Sequence, residues 1–429
     1  MPVNHAAREP AGLDAAFAKP PAAAGSLVVA LVLGFFLYLA FGVSRVGATI
    51  LIVRENRSSI ELGIVMAMYS LAPLLIAVHA GAVATRLGPR SMLAGGGLVL
   101  LCGALLQAVP GPVVLLFPGA LLCGIGFTLM QIALQLHIGE CGAPDERVRR
   151  FGFFSLTQSA ATSLAALLGG YLSGQWGVHA PLRLAALVGA VLLALLVARR
   201  RVFRSTRPAR PAVEVAEAAG PAGQPRARDR ATLRLLRQRD VRKVLVAGAL
   251  LAMAWDLHTF LVPFISRSVG LSPKQIGIVL GLFSGATFVI RICLPGLVRL
   301  LSSVWIIRGA LIVVGLGFAA YPWHTSYETM CVLAICLGLA LGTAQPNLLA
   351  LVHDVAAERD VGRLIGVRTI LLNVGASLWP LCFGALGLPV VRFVLPASGL
   401  VFVLAGLGFS LGRGGQPRGA DSPARSDAA

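Results

Sequence analysis

Long apolar runs, broken by short polar links, repeat along almost the whole chain. Each run is near the ~20 residues that a helix needs to cross a bilayer. Twelve spans are predicted, at about 26–53, 60–84, 91–109, 112–138, 151–174, 181–199, 243–266, 275–299, 304–321, 328–352, 364–386 and 390–412. Prolines and glycines punctuate the links, as at Val109-Pro110-Gly111-Pro112. Internal prolines such as Pro73 and Pro380 are compatible with spanning helices whose neighbours satisfy the freed carbonyls. The pattern therefore predicts an all-α membrane protein with twelve transmembrane helices.

The runs also repeat as a set, at a shift of about 215 positions. Gln131 aligns with Gln345, Gly124 with Gly338, His137 with His353 and Gly81 with Gly296. Each histidine precedes an acidic and basic loop, Asp145-Glu-Arg-Val-Arg-Arg150 in one half and Glu358-Arg-Asp-Val-Gly-Arg363 in the other. A glycine then opens the next span, at Gly152 and at Gly366. The expected organisation is two pseudo-symmetric six-helix bundles, at 26–199 and 243–412. They are flanked by disordered tails at 1–25 and 413–429 and joined by a basic linker at 200–242. Parallel six-span halves that handle a solute at their interface are a transporter architecture.

Composition strengthens the membrane reading. The chain is 57% hydrophobic and 13% charged, against about 25% charged in soluble domains, and its mean hydropathy is +0.82. A net charge of +19 suggests nucleic acid at first sight, but most of the arginines sit in alternate links between spans. One set of links and both tails hold Arg86, Arg90, Arg147, Arg149, Arg150, the bases from Arg199 to Lys243, and Arg299, Arg308, Arg359, Arg363 and Arg368. The other set holds Arg54, Arg57, Arg183, Arg267, Lys274 and Arg392. This asymmetry predicts an inner-membrane protein with both termini in the cytoplasm. The stretch Thr232–Lys243 is a candidate basic helix on anionic lipid, or simply a solvated orientation signal. The first 25 residues lack the apolar core of a signal peptide. The seven cysteines show no Cys-x-x-Cys spacing and read as small buried hydrophobes. No metal-ligand spacing, catalytic triad or phosphate loop is present, so no metal, cofactor, ATP site or enzymatic role is expected.

The segment Gly81-Ala-Val-Ala-Thr-Arg-Leu-Gly-Pro-Arg90 resembles the signature loop of the major facilitator superfamily. Gly81, Arg86, Gly88 and Arg90 match that pattern, while Thr85 stands in place of its usual aspartate and Pro89 in place of a base. The resemblance implies a latch between the halves at these residues, weakened by the missing carboxylate. A tight basic turn that fixes topology accounts for the same residues. Proton-coupled drug exporters of the family carry an arginine in the fourth span where this chain has Ala120. They also carry a Gly-Pro pair in the fifth where it has Ala165-Ala166. An echo of that motif survives at Gly375-Ala-Ser-Leu-Trp-Pro-Leu-Cys-Phe-Gly384.

Ionisable groups at membrane depth usually face a cavity or a partner. Asp256 is the only acid deep in any span, and the repeat sets Arg45 one turn from its level. Asp256 is therefore the candidate proton-coupling carboxylate, with Arg45 as its charge partner, and a static ion pair is the plainer reading. His258, two residues on, is a second titratable candidate. Gln131 and Gln135 share a helical face; with Gln345, Asn347, Trp255 and Arg45 they are candidate substrate contacts. Interhelical hydrogen bonding is the alternative for the amides. Arg291 either meets an anionic solute or snorkels to the helix end.

These readings predict a monomeric secondary active transporter whose partners are a small organic solute, protons and membrane lipids, without nucleic acid. The first expectation is proton-coupled export of a drug-like compound or an endogenous metabolite such as a siderophore. Import of a sugar, organic acid or peptide-like solute, and a receptor of the same fold that carries nothing, are the alternatives.

Overall fold

A computed structural model describes residues 21–141, 147–199, 234–323, 326–355 and 358–411. Of the expected tails and linker, 1–20, 200–233 and 413–429 lie outside those residues, while 21–25 belong to the first helix. The described chain is helical, in the order α1 (Pro21–Arg54), α2 (Ser59–Ala108), α3 (Leu116–Glu140), α4 (Arg147–Gln175), α5 (Ala180–Ala198), α6 (Arg239–Val269), α7 (Pro273–Leu300), α8 (Ser303–Ala320), α9 (Tyr327–Val355) and α10 (Glu358–Gly408). Local chemistry sets several ends. Ser272 caps α7 in a reciprocal box with Gln275, and Pro273 occupies the first turn where its missing N–H costs nothing. Gly270 ends α6 in the left-handed region at φ 74°, a conformation open to glycine at little cost.

Two elements, α2 and α10, are too long to be single spans, and both double back. Tyr69 and Gln107 both belong to α2, yet the Tyr69 hydroxyl donates to Gln107 Oε1 at 3.0 Å. A straight helix would hold them about 57 Å apart. In α10, Arg368 Nε would stand 3.8 Å from a methyl placed on Gly248, while the carbonyl just past its far end, at Ser410, accepts from Lys243 of the same α6 at 2.5 Å. Each is therefore a pair of antiparallel arms, and ten elements supply the twelve spans expected. The expected turn between the second and third spans carries helical backbone throughout. The surroundings of Gly81, Arg86 and Gly88 lie outside the described residues; Arg90 is exposed.

The first half is pinned by a buried polar network. Gln107 Oε1 accepts from Ser44 at 2.7 Å and from Tyr69 at 3.0 Å, and the two hydroxyls lie 2.7 Å apart. All three side chains are buried, and together they tie α1 to both arms of α2. Gln107→Leu removes the shared acceptor and strands two donors. We expect a loss of about 1–3 kcal/mol, read as a lower thermal midpoint of the purified protein. Tyr69→Phe, which leaves the Ser44–Gln107 bond in place, should cost less.

The halves meet along two related seams. In one, α4 lies against α7 with no side chain between: a methyl on Gly170 would stand 2.5 Å from the Gly277 Cα, and the reverse 2.6 Å. In the other, the start of α2 lies against the first arm of α10, where a methyl on Gly384 would stand 2.6 Å from the Ser59 carbonyl oxygen. Ser59 opens α2, Gly170 lies near the end of α4 and Gly277 near the start of α7. Both close approaches therefore lie at the molecular end that holds the links after α1, α4 and α6.

Candidate solute cavity

A cavity of about 480 Å³ lies between the halves, within the range of small-molecule sites. Its walls come from helical stripes on both bundles. On α1 the stripe is Tyr38, Phe41, Arg45 and Thr49; on α6 it is Gly248, Ala252, Trp255, Asp256, Thr259 and Pro263. These spacings of three and four residues place one face of each helix on the cavity.

Arg45 and Asp256 meet across the halves. Nη2 of Arg45 donates to Oδ1 of Asp256 at 3.3 Å, with 19% and 15% of their side chains exposed. The contact is single and longer than the ~2.7–2.9 Å of a tight charge-assisted bond, and Arg45 Nε has no partner among the described residues. It is a loose pair inside a cavity, not a two-pronged clamp. Thr49 donates to the Arg45 carbonyl at 2.7 Å and Thr259 to that of Asp256 at 2.9 Å, a back-bond on each helix beside the pair.

Gln131, Gln135, Gln345 and Trp255 also line the cavity. Two further candidates do not. Asn347 is buried and donates to the Thr343 carbonyl one turn back at 2.8 Å; two residues past Gln345, it faces another side of α9. His258 is fully buried within the second half. Its Nδ1 bonds the Tyr321 hydroxyl at 3.0 Å and its ring lies 4.3 Å from that of Phe283. Two steps along a helix turn it about 200° away from Asp256, so it is withdrawn as a coupling group and Asn347 as a substrate contact.

The sequence reading passed over Tyr38, Gln158, Phe41 and Phe127 among the wall residues, and it left the place of Arg291 open. Gln158 donates to the Tyr38 hydroxyl at 2.5 Å, and Gln131 and Arg291 line the same cavity. Arg291 Nη1 crosses to the first half, donating to the Ser155 carbonyl at 3.1 Å and to Ser159 Oγ at 2.6 Å. Arg368, counted among the orientation bases of a link, lines the cavity instead. Phe41 and Phe127 stack at 4.0 Å and 18°. The signal for Tyr38 and Gln158 was available: each shares a helical stripe with other polar residues, Arg45 and Thr49 for one, Thr162 for the other.

A bundle of apolar helices in two related halves around a charged central cavity defines a membrane carrier. The chain belongs to the Major Facilitator Superfamily: the family model matches residues 30–243 and again residues 244–427. It is thus a multi-pass membrane transporter. Solute carrier family 67 member A1 of Homo sapiens is 29% identical over 364 residues, covering 81% of this chain and 83% of that protein. Multidrug resistance protein MdtH of Cronobacter sakazakii is 29% identical over 138 residues, 32% of this chain and 33% of that one. The peptide transporter POT, solved in complex with sulfate, shares the fold, with a TM-score of 0.70 at 16% identity over 88% of this chain and 93% of the other.

Proposed function

We propose that the protein is a proton-coupled exporter of an amphipathic organic solute, a drug-like compound or an endogenous metabolite, working by alternating access. We place it in a bacterial inner membrane with both termini in the cytoplasm, on the distribution of arginines. The observation that carries the coupling is the Arg45–Asp256 pair, which joins the halves inside the cavity. Protonation of the carboxylate removes one charge and frees the arginine, so proton uptake is tied to the contact between halves. An amphipathic solute is supported by walls that mix apolar and aromatic with polar side chains, and export by the similarity to MdtH, whose name states multidrug resistance. The links after α1, α4 and α6 then lie outside, and the glycine seams close the outer gate.

Everted membrane vesicles acidified inside by respiration test this directly. Uptake of a transported compound into them should collapse when an ionophore dissipates the pH gradient. Uptake that ignores the ionophore rules out proton coupling, and uptake only into right-side-out vesicles makes the protein an importer. Within this reading Gln131 and Gln345 donate hydrogen bonds to the solute. Alanine at either should raise the apparent KM about 3- to 10-fold, the worth of one such bond, with little change in maximal rate. An unaltered KM in both variants would remove them from the binding site.

A further inference from the structure

Among the described residues four charged side chains line the cavity: Arg45, Asp256, Arg291 and Arg368. Only one is acidic, and it is engaged by Arg45. Arg291 spends one nitrogen on two neutral oxygens, and its Nε is buried without a partner. Arg368 Nε is likewise buried and, among the described residues, unpartnered. Among the described residues neither arginine has an acidic partner. Charges at membrane depth are ordinarily paired with one another or with a substrate, so the excess of positive charge points to something negative that visits the cavity.

The neutral groups beside Arg291 point the same way. Gln158 donates to the Tyr38 oxygen, so the hydroxyl keeps its own proton as a donor. With two guanidinium groups, the cluster offers donors and asks for acceptors. Close by, Phe41 and Phe127 present stacked aromatic faces and Trp255 a third ring. An oxyanion head with a flat apolar body satisfies both parts. A cation finds only Asp256, already engaged by Arg45, and a neutral solute leaves the arginines uncompensated.

We infer that the solute of this carrier is an aromatic or otherwise amphipathic organic oxyanion, its carboxylate or sulfonate head held by Arg291 and Arg368 with the Tyr38 hydroxyl, and its body against Phe41 and Phe127. The inference rests on the transport reading above for the word solute, but its binding arm is independent of flux. Arg291 also bridges the halves, so an anion that draws it from Ser155 and Ser159 couples occupancy to the interface.

The test uses the purified full chain and four matched probes: naphthalene-2-carboxylate, naphthalene-2-sulfonate, naphthalene-2-carboxamide and 2-naphthylmethylammonium. The two anions should raise the thermal midpoint and bind at least about ten-fold more tightly than the amide or the ammonium, since bonds to charged groups are the stronger ones. Arg291→Gln should weaken anion binding about ten- to hundred-fold, Arg368→Gln should weaken it as well, and Arg291→Lys should keep part of it. The midpoint of each variant without probe reports its folding, and Arg291→Lys and Arg368→Gln serve if Arg291→Gln does not fold. Equal binding of all four probes, preference for the ammonium, no anion binding at all, or anion binding untouched by these substitutions would each overturn the inference. Arg291-dependent binding of the anions with no flux in vesicles would instead remove the carrier reading and leave the anion site standing. Proton-driven flux of a cation, indifferent to Arg291→Gln, would do the reverse.

Discussion

Asp256→Asn is expected to abolish pH-gradient-driven accumulation, at least about ten-fold and in practice to background, while solute exchange down a solute gradient persists. Asparagine keeps the shape of the protonated acid but cannot carry the charge that Arg45 meets at 3.3 Å. The variant is fixed in one protonation state, so the halves can still rock but no longer answer to protons. Exchange should also lose its dependence on pH. Arg45→Gln, in contrast, leaves Asp256 as an unpaired anion. Removing one member of a fully buried pair costs about 3–5 kcal/mol, and less for this pair, which faces a cavity. The Arg45→Gln/Asp256→Asn double variant should therefore be more stable than Arg45→Gln alone, a coupling that a double-mutant cycle measures. Gradient-driven accumulation at the normal level in Asp256→Asn would leave the pair a static tie between bundles.

Leucine at Gly277 or Gly170 is expected to stop the transport cycle by forcing the α4–α7 seam apart. Even a methyl at either site falls about 2.5–2.6 Å from the other glycine's Cα, well inside carbon–carbon contact at about 3.5–4.0 Å. The obstacle is backbone, which cannot rotate aside, so the helices must separate by more than an ångström. Each bundle keeps its own core, and the folded protein should persist with this end held open. A cysteine placed at Thr49, on the cavity wall near this end, should then react with a polar thiol reagent several-fold faster than in the parent. Alanine should act in the same direction more weakly. Gly152→Ala, where a methyl meets nothing within 4 Å, is the control. Unchanged labelling and transport in Gly277→Leu would show that this seam is not a gate.

Much of the architecture was legible along the chain, because a bilayer imposes one dominant rule. Backbone groups must be satisfied inside each spanning segment, so span length and position follow from apolar runs. The repeat then set Arg45 near the level of Asp256 before any contact was visible. The doubled elements were legible too: they read as paired spans in the sequence, and the Tyr69–Gln107 bond shows α2 folded back as such a pair.

The facing of individual side chains was legible only in part. Helical spacing places Asp256 and His258 on different sides of α6 but does not say which side meets the cavity. Packing decided that: His258 is covered by Phe283 and Tyr321, while Asp256 meets Arg45. The same rotation took Asn347 into the bundle and left Gln345 on the wall. Arg368 counts in the sequence as one more orientation charge, and only the approach of α10 to Gly248 carries it into the cavity.

Sequence alone thus determined that the chain is an all-helical membrane protein of two related halves with a lone deep acid, since hydrophobic length and periodicity are properties of one segment at a time. Tertiary structure decided which faces line the cavity, that Arg291 and Arg368 stand there without acidic partners among the described residues, and where the halves close. Those depend on the rotation of each helix against its neighbours, set by contacts such as Gly170 on Gly277 that no single segment contains.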